Sequence, residues 1–241
     1  MGRAPSKRRG PEIFQVSTLA ALAHGDNRGR VRIRDLLAHG DFGIGTFDHL
    51  RGELVVVDGR AWRVHDHEAI EVADPEELTP YAAVTRFAPH AAGQKIWCRD
   101  IAGLHTTLDS CRPSVDDPVA VRIDGHFQRL VIRVACGARE GERLVEAAGR
   151  QYEATHHGVR GTVVGFWTPS DLIGLDLAGY HLHALSDDRR LGGHVYDLAG
   201  KDLEVSMQVE GEVHVVGGAT GPIDTQQLTR DLGTTEERPT R

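Results

Sequence analysis

Cysteine is scarce, long apolar runs are missing and positive charge is in deficit, and each shortage excludes a class of function. The three cysteines among 241 residues, Cys98, Cys111 and Cys136, are an odd number at wide spacing with no CxxC pair. They read as reduced thiols rather than as a disulfide framework, a structural zinc site or a redox pair. No stretch approaches the roughly 20 consecutive apolar residues that a membrane-spanning helix requires. No apolar segment follows the basic run Lys7-Arg8-Arg9 to make a secretory signal. The net charge is −7 at pH 7, and outside that run the cationic residues are scattered, which argues against a nucleic-acid groove. The expectation is a cytoplasmic protein with neither nucleic-acid nor membrane partners.

Against these shortages stand 40% apolar residues, enough to fill a core, and 14 histidines, too many for any single one to carry weight without its spacing. Phe14 to Ser17 reads as a strand, and residues 18 to 24 and 33 to 38 read as short helical turns. Gly52 to Val64 contains two strands meeting at Asp58-Gly59, a strong hairpin signal. Thr79 to Phe87 gives another strand, and a helix is expected over 100 to 113, ending before Pro113. Val119 to Phe127 is expected to turn at Asp124-Gly125 and pair with Gln128 to Ala135. Residues 139 to 154 are helix-compatible, Gly161 to Pro169 reads as a buried strand, and Glu204 to Val216 reads as the last strand. Many short strands with few helices predict an α+β, mostly β architecture of two packed mixed β-sheets or half-barrels. The expected division is a disordered basic tail over 1–12, an N-terminal mixed-sheet half over 13–115, a C-terminal β half over 116–220 and an irregular tail over 221–241.

The densest chemistry lies in GYHLHALSDDRRLGGHVYDL, residues 179 to 198. His181 and His183 are two positions apart, so on a strand both imidazoles leave one face. His194 follows beyond a turn-like stretch containing Ser186, Asp187, Asp188, Gly192 and Gly193. A hairpin there brings the third histidine beside the pair. Three nitrogen ligands with no cysteine to close the set suit a catalytic metal, because coordination positions stay open. Asp187 and Asp188 read as turn formers, the His65-x-His67 pair as a solvated strand end, and His156-His157 as pointing to opposite sides.

Five segments, FGIGTFDHLRGELVVVDGRAWRV, TPYAAVTRF, VAVRIDGHFQRLVIR, GTVVGFWTP and GYHLHALSDDRRLGGHVYD, occur in this order between Phe42 and Asp197, within a resemblance that covers roughly residues 13 to 216. With them the chain resembles the acetolactate decarboxylases. The resemblance implies a lyase converting 2-acetolactate to acetoin and carbon dioxide, with zinc, or another divalent metal, held by His181, His183 and His194. It matches the family's active-site glutamate to Glu53, its arginine to Arg133 and its threonine to Thr46, which implies catalytic roles for Glu53 and Arg133 and substrate binding by Thr46 and Arg133. Glu236 and Glu237 are the candidates for a further glutamate near the C-terminus. Chemistry fits the set. Loss of carbon dioxide leaves an enediolate that a Lewis acid stabilises, an arginine fork pairs with a carboxylate, and a carboxylic acid protonates one face. From the histidines alone, two readings remain beside it: another three-histidine enzyme, an oxygenase or hydrolase, and a non-catalytic metal-binding module. The site is expected between the two halves, in a chain compatible with a homodimer.

Overall fold

The computed structural model describes residues 11–66, 69–89 and 93–217. The basic run Lys7-Arg8-Arg9, His67, Glu236 and Glu237 lie outside the described residues. In chain order the elements begin with β1 (Glu12–Val16), α1 (Leu19–Ala23), β2 (Val31–Arg32), α2 (Ile33–Leu37), β3 (Phe42–Thr46), β4 (Glu53–Val57) and β5 (Arg60–Val64). They continue with β6 (Ile70–Val72), β7 (Leu78–Thr79), β8 (Ala82–Thr85), β9 (Gln94–Cys98) and α3 (Ile101–Cys111). The second half carries β10 (Val119–Val134), α4 (Leu144–Ala148), β11 (Tyr152–Thr168), β12 (Gly179–Ser186), β13 (Gly192–Val209) and β14 (Glu212–Val216).

Local chemistry accounts for most of these boundaries. Thr18 caps α1 by accepting from the Ala21 amide at 3.1 Å, and Asp100 caps α3 by accepting from Gly103 at 2.8 Å. The β4–β5 turn has positive φ at both central residues, Asp58 at 51° and Gly59 at 75°, as a two-residue turn of this hand requires.

The first sheet runs β14-β1-β8-β3-β4-β5-β6 and is mixed, because β14 lies parallel to β1 while the other neighbours are antiparallel. The second, β10-β11-β12-β13-β9, is wholly antiparallel, and β10 also pairs β13, closing four strands on themselves. The two units each take a strand from across the expected 115/116 boundary. Gln94–Cys98 joins the second sheet and Glu212–Val216 returns to the first. Leu130, Ile132, Val163, Leu182, Val195 and Leu198 help fill the closed sheet. Ile44, Val55 and Val64 of the first sheet pack on Val164, Phe166 and Leu185 of the second, and that seam holds the site.

Three expectations are corrected. Asp124-Gly125 is not a hairpin turn. β10 runs unbroken for 16 residues and pairs β11 from Val119↔Trp167 to Val134↔Tyr152. Near Gly125 its register against β13 shifts, so the irregularity bends a long strand around the barrel instead of reversing it. The helix over 139 to 154 shrinks to Leu144–Ala148, because Gly141 and Gly149 bound it and Tyr152 and Glu153 are taken by pairing with Val134 and Arg133. The last strand is broken at Glu210-Gly211: Glu204–Val209 ends β13, and Glu212–Val216 crosses to the other sheet.

Glu210, at that crossing, is 0% exposed; its carboxylate accepts from Gln208 Nε2 at 2.9 Å and from Thr85 Oγ1 at 3.0 Å. Burial raises its pKa to about 7, with those hydrogen bonds pulling the other way. An unfolded glutamate titrates near ~4.3. As pH rises from there through about 7, the unfolded chain loses the proton first, so stability falls across that window. The drop from this one group should be about 3 kcal/mol. Denaturant titrations of Glu210→Gln should lack it, and an identical pH slope in the variant would refute the assignment.

Candidate active site at the seam of the two sheets

Alternation along β12 sends Leu182 and Ala184 into the barrel core and His181 and His183 out of it. The β12–β13 register then sets His194 directly opposite His183, and β10–β13 sets Arg133 directly opposite His194. The imidazole centroids are 5.1 to 5.4 Å apart, and one ligand nitrogen from each ring lies within 4.8 Å of the others. Two rings have an assigned orientation. His181 Nδ1 donates to Asp176 Oδ1 at 2.9 Å, and His183 Nδ1 donates to the Leu54 carbonyl at 3.0 Å. A proton on each Nδ1 leaves Nε2 as a lone pair. Burial, followed by the neighbouring His181 and His194 rings, holds the His183 pKa well below its ordinary value, so this imidazole is a neutral donor. The three buried imidazoles, two of them held through Nδ1, form a nitrogen set that fits a divalent metal.

Glu53 opens β4 and is 8% exposed. The turn before it is tightly wound: His49 has φ 55°, Leu50 54° and Gly52 105°. A Cβ on Gly52 would stand 2.4 Å from the Val64 carbonyl oxygen, so the glycine of the GEL run is required on both counts. Glu53 Oε1 accepts from the Ala135 amide at 3.0 Å, and Oε2 lies 3.8 Å from His183 Nε2. Oε1 is thus engaged by the amide, and Oε2 is the oxygen turned toward the histidines. Thr46, in register with Glu53, donates its hydroxyl proton to the Gly52 carbonyl at 2.8 Å and so fastens the same turn. Arg133 Nη1 donates to Tyr196 Oη and to Gln151 Oε1, each at 3.3 Å.

The three histidines, Glu53, Thr46 and Arg133 all line one cavity of about 70 Å³, room for a handful of waters. Its other wall is apolar: Leu19 and Leu22 of α1, Leu50, and Leu144 of α4. The family model described as alpha-acetolactate decarboxylase matches residues 13–229. The chain belongs to this family. The Lactococcus lactis subsp. lactis alpha-acetolactate decarboxylase is 39% identical over 190 residues, 77% of this chain and 79% of that one. The Bacillus subtilis relative is 32% identical over 237 residues, 95% and 92% of the two chains. A crystal structure of the Bacillus subtilis alpha-acetolactate decarboxylase superposes with a TM-score of 0.88 at 30% identity, covering 94% of this chain and 100% of that one. The chain is accordingly a decarboxylating lyase.

Six residues that the alpha-acetolactate decarboxylase resemblance singled out therefore share one cavity, whereas Glu236 and Glu237 lie outside the described residues. Asp187 and Asp188 stay in the β12–β13 turn, with Asp188 accepting from Ser186 Oγ at 2.6 Å. His65 hydrogen-bonds Glu71 at 2.6 Å, away from the triad. The loop after Arg133 is pinned to the Glu53 turn: Gly137 donates to the Leu50 carbonyl at 2.9 Å and Ala138 to that of His49 at 2.7 Å. Asp176, Tyr81, Gln151 and Tyr196 were not singled out. Asp176 stands five residues before His181 in a loop and has no periodic signal.

Asp176 is buried and bonded to a histidine of this set. Burial alone would raise its pKa, but the His181 ring, its hydrogen bond, the Tyr81 hydroxyl and the Leu177 amide outweigh that and hold the carboxyl below the usual range. The buried Tyr81 hydroxyl faces Asp176, and its pKa is raised first by burial and then by the Asp176 charge. Asp176→Asn keeps an acceptor and loses the charge. Metal affinity should fall about 10- to 100-fold, measured by competition with a chromogenic chelator; unchanged affinity would make Asp176 structural.

Among the described residues no helix is long and apolar enough to cross a membrane.

Proposed function

We propose that this family member converts 2-acetolactate to acetoin and carbon dioxide, with zinc held by His181, His183 and His194, Arg133 on the substrate carboxylate and Glu53 as the proton donor. The convergence of these residues on one buried cavity carries the reading. A divalent metal bound there supplies a Lewis acid for the substrate oxygens that take up charge as the carboxylate leaves. The chain's own side chains do the rest. Arg133 presents a planar cation suited to a carboxylate and so fixes which carbon–carbon bond faces the cavity. The leucines of α1 and α4, with Leu50, receive the methyl groups and keep bulk water from the carbon that must be protonated. Glu53, its Oε1 anchored by the Ala135 amide, delivers a proton from Oε2 to one face and so yields one acetoin enantiomer. Thr46 holds the turn that aims Glu53. The reduced state of Cys98, Cys111 and Cys136 is consistent with action in the cytoplasm, and a homodimer is the assembly proposed.

Purified protein should form acetoin from racemic 2-acetolactate without oxygen, stop after thorough chelation, and recover on addition of one equivalent of zinc. Full turnover in protein shown by elemental analysis to be metal-free would overturn the metal assignment. Metal binding without carbon dioxide release would favour a binding module.

A further inference from the structure

Tyr196 contacts both the arginine and the histidine set. It lies two residues beyond His194 on β13, where the register against β10 slips, and its ring meets the His194 imidazole edge-on at 5.9 Å and 78°. The Arg133 guanidinium carbon stands 5.0 Å from the centre of the same ring. Arg133 Nη1 donates to the phenol oxygen and to Gln151 Oε1, and Gln151 Nε2 donates back to the phenol oxygen. Three polar groups thus close a triangle on one nitrogen of the fork, while the aromatic face supports the cation from the side. Gln151 stands at the start of the long strand β11, one residue before Tyr152, which is in register with Val134.

We infer that Tyr196 and Gln151 are positioning residues that hold the Arg133 guanidinium at a fixed distance and tilt from the three histidines, and so select substrates whose carboxylate lies at a set span from the oxygens at the triad. The inference rests on the reading of Arg133 as the carboxylate partner. An arginine has several rotatable bonds, and an unheld one must be ordered at each binding event. Here that ordering is done in advance by groups that never touch the substrate. Both acceptors reach the fork through Nη1, so removing one should loosen the fork without removing its charge. Only a ligand that carries a carboxylate should notice.

The test compares two ligands of one cavity: acetolactate, which has the carboxylate, and acetoin, which has lost it. Tyr196→Phe deletes the phenol oxygen and keeps the ring. It should raise KM for acetolactate roughly 5- to 20-fold, leave inhibition by acetoin within about twofold, and keep full metal stoichiometry and an unchanged melting temperature. Gln151→Leu should do the same to a smaller degree. If KM for acetolactate and inhibition by acetoin shift together, the residues merely support the local fold. If neither shifts, the clamp does not exist. Arg133→Lys, measured alongside, separates the carboxylate role from the clamp. It should cost ten- to a hundredfold in kcat/KM. A sensitive lysine variant with a normal Tyr196→Phe sinks the clamp alone, whereas an insensitive lysine variant sinks the carboxylate role and the clamp with it.

Discussion

Replacing His194 by alanine should leave the protein without stoichiometric metal and without measurable acetoin formation. His194 is in register with His183 on one side and Arg133 on the other, so no neighbouring imidazole can move into its place. Losing an outer hydrogen-bond partner of a ligand already weakens metal binding 10- to 100-fold. Losing the ligand itself should cost more, on the order of a thousandfold or about 4 kcal/mol. The fold should survive, because the ring borders a cavity and the core beneath it is built from Val195 and Leu198. Elemental analysis after gel filtration checks the metal, and an acetoin assay checks the activity. A variant that keeps one equivalent of metal would remove His194 from the set, and one that is active without metal would refute the whole assignment.

Glu53→Gln should separate metal binding from catalysis. The carboxamide can still accept from the Ala135 amide through its oxygen, so the side chain keeps its place, but an amide N–H replaces the oxygen turned toward His183. That group does not give up a proton in the useful pH range. Metal occupancy should remain full while acetoin formation falls by roughly two to four orders of magnitude, the usual worth of a general acid. Whatever acetoin still forms should be closer to racemic, because water reaching the cavity protonates either face. Chiral gas chromatography reads this directly. Full activity with unchanged chirality would dismiss Glu53 as the donor and direct attention to Glu236 and Glu237.

The short-range features were legible because they have a period or a turn chemistry. His181 and His183 share a face by alternation, and Asp58-Gly59 marks a hairpin by dihedral demand. The long strands were not legible, for the same reason turned around. Asp124-Gly125 is chemically a turn pair, and it is kept extended by distant partners, β11 along its whole length and β13 at Asp124. Residues 150 to 154 look helical until Arg133 and Val134 claim two of them. Within the site, Glu53 has no local signature: a glutamate after a glycine reads as a solvated turn, and the family resemblance alone marked it. Its actual anchor is the main-chain amide of Ala135, 82 positions away. Backbone groups such as this amide and the Leu54 carbonyl carry no residue identity, so no reading of side-chain types finds them.

The pairing of β14 with β1 has a consequence for how the chain comes to exist. Glu12 is in register with Glu212, so one edge of the first sheet cannot be finished until almost all of the described chain has left the ribosome. During synthesis β1 can pair with β8 on one side while its other edge, with its unpaired amides and carbonyls, waits for a partner. The closed four-stranded unit waits as well, since β10 meets β13 only after both β11 and β12 have been made. Contacts this distant in sequence make folding slow, and slow folding lengthens the time in which a neighbouring nascent chain can occupy that edge. Cells making this protein quickly should therefore lose part of it to aggregation, and slower synthesis at lower temperature should recover it.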